Sequence, residues 1–187
     1  MMKVIVGISG ASGVIYGIRL LEALGQAPQV ETHLVLSATG KLNITLETEY
    51  SVADVEALAD TVHNDRNLAA SISSGSFRCD AMVVAPCSMK SLSGIVNSYS
   101  DTLLTRAADV TLKDRRPLIL VPRETPLHLG HCKLLYEAAQ LGAIIAPPMP
   151  AFYNKPSSVE DIVDHTVGRL LDLLGLESGL VRRWDGA

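Results

Sequence analysis

Aromatic residues are scarce in this sequence: phenylalanine, tryptophan and tyrosine together make up 4% of it. Any core must therefore be aliphatic, and hydrophobic residues are plentiful at 48%. Cysteine is sparse as well, confined to Cys79, Cys87 and Cys132. An odd count at these spacings fits neither a disulfide framework nor a zinc site. It points to a reducing, cytoplasmic setting. No basic block stands out and the net charge is −4, which argues against nucleic acid as a partner. No apolar run reaches the length of a membrane span, and the residues after Lys3 show no signal-peptide cleavage pattern.

What is present is a regular alternation. Short apolar runs recur at Val4–Ile8, Leu34–Leu36, Ala81–Ala85, Leu118–Val121 and Ala143–Ala146. Each is too short for a helix and lacks polar alternation, as expected of strands buried on both faces. Helical spacings lie between them. Val14, Ile18 and Leu21 share one face, and so do Leu92, Ile95, Val96 and Tyr99. Val52, Val55, Leu58 and Val62 follow a Ser51–Asp54 capping box. The stripe from Val159 through Leu174 is the clearest, with Gly175 as its stop. The expectation is one α/β domain over residues 1–187: a parallel sheet between two helical layers, with a C-terminal tail from about residue 176 available for subunit contacts.

In such sheets ligands bind beyond the carboxyl ends of the strands. Those five places hold Gly10-Ala11-Ser12-Gly13, Ser37, "PCSMKS" (86–91), "PRETP" (122–126) and "PPMPAFY" (147–153). Together they predict one continuous site. The glycine run is neither a P-loop nor G-x-G-x-x-G, and Ser37 stands where a dinucleotide fold carries an acid for the ribose, which argues against NAD. The loop suits a phosphate at a helix start and, equally, a bare tight turn. Ser88 reads as the cap of a helix whose free amides, with the Ser88 and Ser91 hydroxyls, would face an anion; a plain cap is the simpler alternative. Cys87 has no base placed beside it by the sequence, so a nucleophilic role is not favoured.

Arg123 and Glu124 sit at a strand end, where a charged pair is harder to dismiss than on open surface. "LKDRR" (112–116) is by default a solvated loop, with Lys113 able to reach an anion only if the preceding helix covers the site. His128 and His131 lack partners for a metal site. "VEDIVD" has the acidic spacing that holds magnesium in diphosphate-using prenyl enzymes, but Ser157 and Glu160 also make a capping box, and the cap is the favoured reading. No metal is expected.

Taken in order, "GISGASGVIYG", "PCSMKSLSGI", "LVPRETPL" and "PPMPAFYNKP" resemble the UbiX/Pad-type flavin prenyltransferases, and "VETHLVLS" with "ISSGSF" resembles the branch accompanying phenolic or hydroxyarylic acid decarboxylases. The resemblance implies a flavodoxin-like, Rossmann-like three-layer sandwich in a large homo-oligomer, commonly a dodecamer, with sites at subunit junctions. It implies reduced FMN as a substrate, prenylated at N5 and C6 from dimethylallyl monophosphate. The product, prenylated FMN, would serve a UbiD-type decarboxylase. By matching motif, Gly10, Ala11, Ser12, Ser37, Ser88, Met89, Lys90, Ser91 and Arg123 would contact the flavin. Lys113, Glu124, Tyr153 and Arg169 would surround the prenyl phosphate, with Arg106 nearby. Ser12 and Glu47 would move protons, and Tyr153 with Trp184 would line the prenyl pocket. Two rivals remain: an FMN-dependent cysteine-type decarboxylase, which should carry a "PASANT"-like stretch in place of "PCSMKS", and a non-catalytic flavin-binding subunit.

Overall fold

The computed structural model describes residues 1–181 and 183. Six parallel strands form one sheet: β1 (Met2–Ile8), β2 (Val30–Leu36), β3 (Thr61–Asn64), β4 (Ala81–Cys87), β5 (Leu118–Pro122) and β6 (Ile144–Ile145). Their spatial order is β3-β2-β1-β4-β5-β6. The direction of winding reverses between β1 and β4, and the crevice outside a reversal point is where open α/β sheets bind ligands. The five strands read from the sequence stand in the flavodoxin-like relative order. The sixth, β3, extends the sheet beyond β2.

Side chains alternate across the sheet as the pleat requires. Val4, Val6, Ile8, Leu34, Leu36, Val83 and Ile119 enter one cluster, packed against α1 (Ile15–Gly25) and α7 (Val159–Leu173). Ile5, Val35, Met82, Val84, Leu118 and Leu120 enter the other, which is covered by α4 (Met89–Val96), α5 (Leu103–Lys113) and α6 (Leu129–Gln140). Both layers are aliphatic, and each large side chain taken fully out of water contributes about 1.5–3 kcal/mol. The remaining helices, α2 (Ala38–Glu47) and α3 (Val52–Glu56), follow β2.

Four details differ from the sequence reading. The helix capped by Ser51 ends at Glu56, and Val62 lies in β3, half exposed. That edge strand buries one face only and so carries no continuous apolar run. Tyr99 lies beyond α4 and is exposed. The capping box of α7 is Ser158 with Asp161, one residue later than Ser157 with Glu160. Asp161 Oδ2 also takes bonds from Ser157 N and Oγ, at 2.7 Å each. These donors hold its carboxyl below the usual range, and the Asp164 carboxylate is ion-paired to Arg19 at 2.6 Å. Two of the three acids of "VEDIVD" are thus engaged in the helix start and a helix–helix contact. Past α7, Leu176 and Leu180 pack on the core and Arg183 pairs with Asp172 at 2.9 Å. Among the described residues no helix is long and apolar enough to cross a membrane.

Candidate active site

Three helix starts converge at the carboxyl edge of the sheet. Ser37 caps α2 by accepting the Gly40 amide at 3.0 Å. Ser88 caps α4 by accepting the Ser91 amide at 3.2 Å, and Thr102 with Thr105 makes the capping box of α5. Their first turns line a cavity of about 790 Å³ together with Gly10, Asp65, Arg66 and Asn97. That is within the range of sites for a small organic ligand, and the convergent helix dipoles favour a ligand with a negative group.

The floor depends on a buried hydroxyl. Ser9, fully inaccessible, donates to the Pro86 carbonyl at 2.9 Å and accepts the Ser88 amide at 2.7 Å. It locks the loop after β1 to the loop after β4. Gly10 beside it has no room for a side chain: a Cβ would come within 2.5 Å of Thr39. The turn continues through Gly13 at φ +101°, where side-chain-bearing residues are strained. There Glu47 arrives from the end of α2, its Oε2 accepting the Gly13 amide at 2.8 Å and the Val14 amide at 3.3 Å. Val14 itself has no side-chain cap to offer α1. Glu47 therefore satisfies free amides of a helix start from another element.

Of the flavin contacts expected from the sequence, Gly10, Ser37, Ser88, Lys90 and Ser91 line this cavity. The hydroxyls of Ser37 and Ser88 are committed to capping, with Ser88 also donating to Ser91 Oγ at 3.1 Å. Ala11 is buried and its carbonyl accepts from Asn43 Nδ2 at 3.1 Å. Ser12 is exposed on the turn next to Gly13. Met89 turns toward the core layer of α4. Arg123 is exposed, its amide bonded to the Cys87 carbonyl at 3.2 Å, and Glu124 follows with Oε1 on the Thr125 amide at 3.0 Å.

Arg169 lines a second, smaller cavity of about 120 Å³ beside β6, with Ala146, Pro147, Met149, His165 and Thr166, and Tyr153 is not in that lining but neighbours it through His165. His165, on α7, lies 3.4 Å from the Tyr153 hydroxyl. Arg169 is exposed and pairs with Asp172 at 2.8 Å.

Arg106 and Lys113 are not in either cavity of their own chain. Arg106 bonds the Ser73 carbonyl at 3.1 Å and Asp109 at 2.8 Å. Lys113 ends α5, which starts at the larger cavity and runs 11 residues, about 16 Å, away from it. Its ammonium pairs with Asp114 at 2.6 Å near the start of β5. The premise that the helix before Lys113 lies over the site is thus met only by that helix's other end. Trp184 lies outside the described residues.

Several lining residues escaped the sequence reading: Thr39, Asp65, Arg66, Asn97, Asp101, Thr102 and Thr105. Asp65 is the most unusual of them. Burial pushes its carboxyl above the ordinary value, although the Leu104 amide at 2.9 Å pulls the other way. Cys87 is fully buried and burial pushes its thiol up to about 12. It is an inert core residue rather than a nucleophile.

A doubly wound sheet with an anion-favouring crevice of this size at its reversal point defines a nucleotide- or flavin-binding protein, and residues 1–171 match the Flavoprotein family. The chain belongs to the UbiX-type flavin prenyltransferase family. It is 57% identical to flavin prenyltransferase UbiX of Escherichia coli strain K12 over 189 aligned positions, covering all of both chains. A dodecameric FMN-dependent UbiX-like decarboxylase from Escherichia coli O157:H7 superposes with a TM-score of 0.98 at 55% identity, over 99% of this chain and 100% of that one. AnUbiX (PadA1), solved with FMN and dimethylallyl pyrophosphate, superposes with a TM-score of 0.97 at 49% identity, over 100% and 98%.

Proposed function

We propose that this chain, as one flavoprotein unit, transfers a dimethylallyl group from dimethylallyl monophosphate to N5 and C6 of reduced FMN, and that the prenylated FMN is released to a UbiD-type aromatic acid decarboxylase. The observation that carries the reading is the joining of a flavin-sized crevice, floored by Gly10 and the capped starts of α2 and α4, to a carboxylate at the same turn, Glu47 on the Gly13 amide.

Bound FMN supplies the electron-rich ring that accepts the prenyl group. The protein's part is electrostatic and positional. Ser37, Ser88, Lys90, Ser91 and Arg123 hold the flavin, with the amides around Gly10 to Ser12. Ionising an allylic C–O bond builds charge on the departing phosphate, and cationic donors stabilise that charge most in the transition state. Arg169 and Tyr153 are the donors beside β6, and Glu124 passes a proton to the phosphate or orders its basic neighbours. Ser12 and Glu47 serve proton movement at the flavin. Because Lys113 and Arg106 stand away from both cavities of their own chain, their service to the phosphate requires a second copy of the chain. That agrees with a homo-oligomer, and a dodecameric relative supports the assembly. Asp161 and Asp164 are spent on a helix cap and an ion pair, which supports a monophosphate donor and turnover without magnesium. We assign the protein to the cytoplasm.

The test is direct. Purified protein is mixed with FMN, a reductant and dimethylallyl monophosphate, with EDTA present, and the flavin product is weighed by mass spectrometry. A mass gain of one dimethylallyl group supports the reading. Unchanged flavin together with decarboxylation of a cysteine-terminated peptide would move the protein to the cysteine decarboxylases. Flavin binding with neither reaction would leave it a carrier.

A further inference from the structure

We propose that Gly75 is a positioning residue for prenyl transfer: its missing side chain leaves the place in which the Lys113 ammonium and the Asp114 carboxylate stand. The inference rests on the reading that Lys113 of one copy serves the donor phosphate of another.

Gly75 belongs to "ISSGSF" (72–77), none of whose residues lines the crevice. The turn leaves a single helical turn, Ser71–Ser73, that packs on α5, and two arginines fix its backbone. Arg106 Nε donates to the Ser73 carbonyl at 3.1 Å. Arg116 donates to the Phe77 carbonyl at 2.7 Å and to the Gly75 carbonyl at 3.2 Å. Arg116 also pairs with Asp114 at 3.1 Å, and Asp114 holds the Lys113 ammonium at 2.6 Å. Arg106 and Lys113 lie about two helical turns apart on α5 and so share a face. One turn of chain therefore gathers the two cations that stand away from both cavities of their own chain.

The space beside Gly75 carries the argument. A glycine is needed for the fold where φ is positive or where a Cβ would strike backbone. Among the described residues the glycines of positive φ are Gly13, Gly142, Gly175 and Gly179, and Gly75 is not one of them. A Cβ on Gly17 would come within 2.2 Å of the Ala85 carbonyl oxygen, and one on Gly40 within 2.5 Å of that of Ile8; those two glycines serve packing. A Cβ on Gly75 would come within 2.7 Å of Lys113 Nζ and 2.9 Å of Asp114 Oδ2, its nearest neighbours, and both are far ends of side chains. The backbone tolerates an alanine there, but the ion pair cannot keep its place. Asp114 is anchored by Arg116, so the exposed Lys113 is the partner that moves. A displaced ammonium no longer meets the phosphate in the geometry that stabilises its developing charge.

The experiment measures FMN affinity, donor KM, kcat and urea midpoint for the wild type, Gly75→Ala, Lys113→Ala and Gly75→Ala/Lys113→Ala. Gly75→Ala should lower kcat/KM for the donor about tenfold while FMN affinity stays within about twofold. Its urea midpoint should not fall, because alanine at an ordinary φ restricts the unfolded chain. The double variant should be no worse than Lys113→Ala, because Gly75 acts only through that ammonium. Normal transfer in Gly75→Ala, or losses that add in the double variant, would overturn the proposal and leave Lys113 at the donor. A lowered urea midpoint with weakened FMN binding, or an alanine variant that does not fold, would make Gly75 a structural glycine and overturn the proposal as well. Normal transfer in Lys113→Ala would instead overturn the reading of Lys113, and this proposal with it.

Discussion

Glu47 and Gly13, from different elements, meet through a 2.8 Å hydrogen bond: the carboxylate at the end of α2 accepts the amide that opens the turn into α1. One side chain thus has two duties, closing a helix start and holding a carboxylate at the turn that carries Ser12. The duties separate on substitution. Glu47→Gln keeps an oxygen for the amide and loses the charge, so stability should fall by no more than about 0.5 kcal/mol while turnover falls about a hundredfold. Glu47→Ala removes both and should cost about 1 kcal/mol in addition. Urea unfolding and single-turnover rates with saturating FMN measure the two effects. Equal turnover in Glu47→Gln and the wild type would confine Glu47 to capping.

Ser9→Ala should weaken flavin binding without touching the flavin. Its hydroxyl satisfies the Ser88 amide and the Pro86 carbonyl in a place with no access to water. Removing it strands the buried Ser88 amide, at a cost of about 1–3 kcal/mol, and leaves the two loops joined through the Ser9 amide on the Pro86 carbonyl at 3.2 Å, a looser tie. Denaturant midpoint and FMN fluorescence titration should both shift. A stability loss with unchanged FMN affinity would show that the loops hold their places without the hydroxyl.

Cys87→Ala should leave turnover within about a factor of two. The thiol is enclosed by the core and burial pushes it up to about 12, so almost none is thiolate at neutral pH. Iodoacetamide at pH 8 should spare Cys87 in the folded protein and label it after unfolding. Labelling in the native state, with loss of turnover, would return Cys87 to the chemistry.

Legibility in the sequence followed burial. Strands enclosed on both faces, such as Val4–Ile8 and Ala81–Ala85, announced themselves as apolar runs, and the serines behind them marked helix starts that line the crevice. β3 buries one face at the sheet's edge, and its period-2 signal over four residues vanished into a helical reading through Val62. With the strand went its carboxyl-end loop, and so Asp65 and Arg66. Ser9 was hidden differently: one hydroxyl at the end of an apolar run carries no pattern, and only the approach of the β4 loop gives it partners. Spacing also could not say that Lys113 closes α5 at the far edge from where that helix begins.

Asp60 gives β3 a pH-dependent anchor. Its carboxylate accepts the Thr32 amide at 2.7 Å and hydroxyl at 2.9 Å, and these bonds hold it below the ordinary value of 3.8. A lowered folded pKa means the contribution is present above the unfolded value and is lost as pH falls through the folded one. Asp60→Asn should therefore be less stable than the wild type at pH 6, by at most about 1 kcal/mol for so exposed a contact. The gap should close below about pH 4. A gap independent of pH would show that charge plays no part.

Lys113 and Arg169 provide the sharpest test of where a complete site is assembled. Within one chain, Lys113 is tied to Asp114 beyond the end of α5, and Arg169 to Asp172 on α7. Each single variant, Lys113→Ala and Arg169→Ala, should lose about two to three decades of prenyl transfer, the loss of one charged donor to a departing phosphate, with FMN affinity nearly intact. The two inactive variants are then dissociated, mixed in equal amounts and reassembled. If each site takes Arg169 from one copy and Lys113 from another, about a quarter of randomly assembled sites carry both intact, and activity should return to about that fraction of the wild type. If both residues serve a site within one chain, every site in the mixture keeps a defect and activity should stay at the level of the separate variants. Near-normal activity of Lys113→Ala alone would remove that lysine from the reaction.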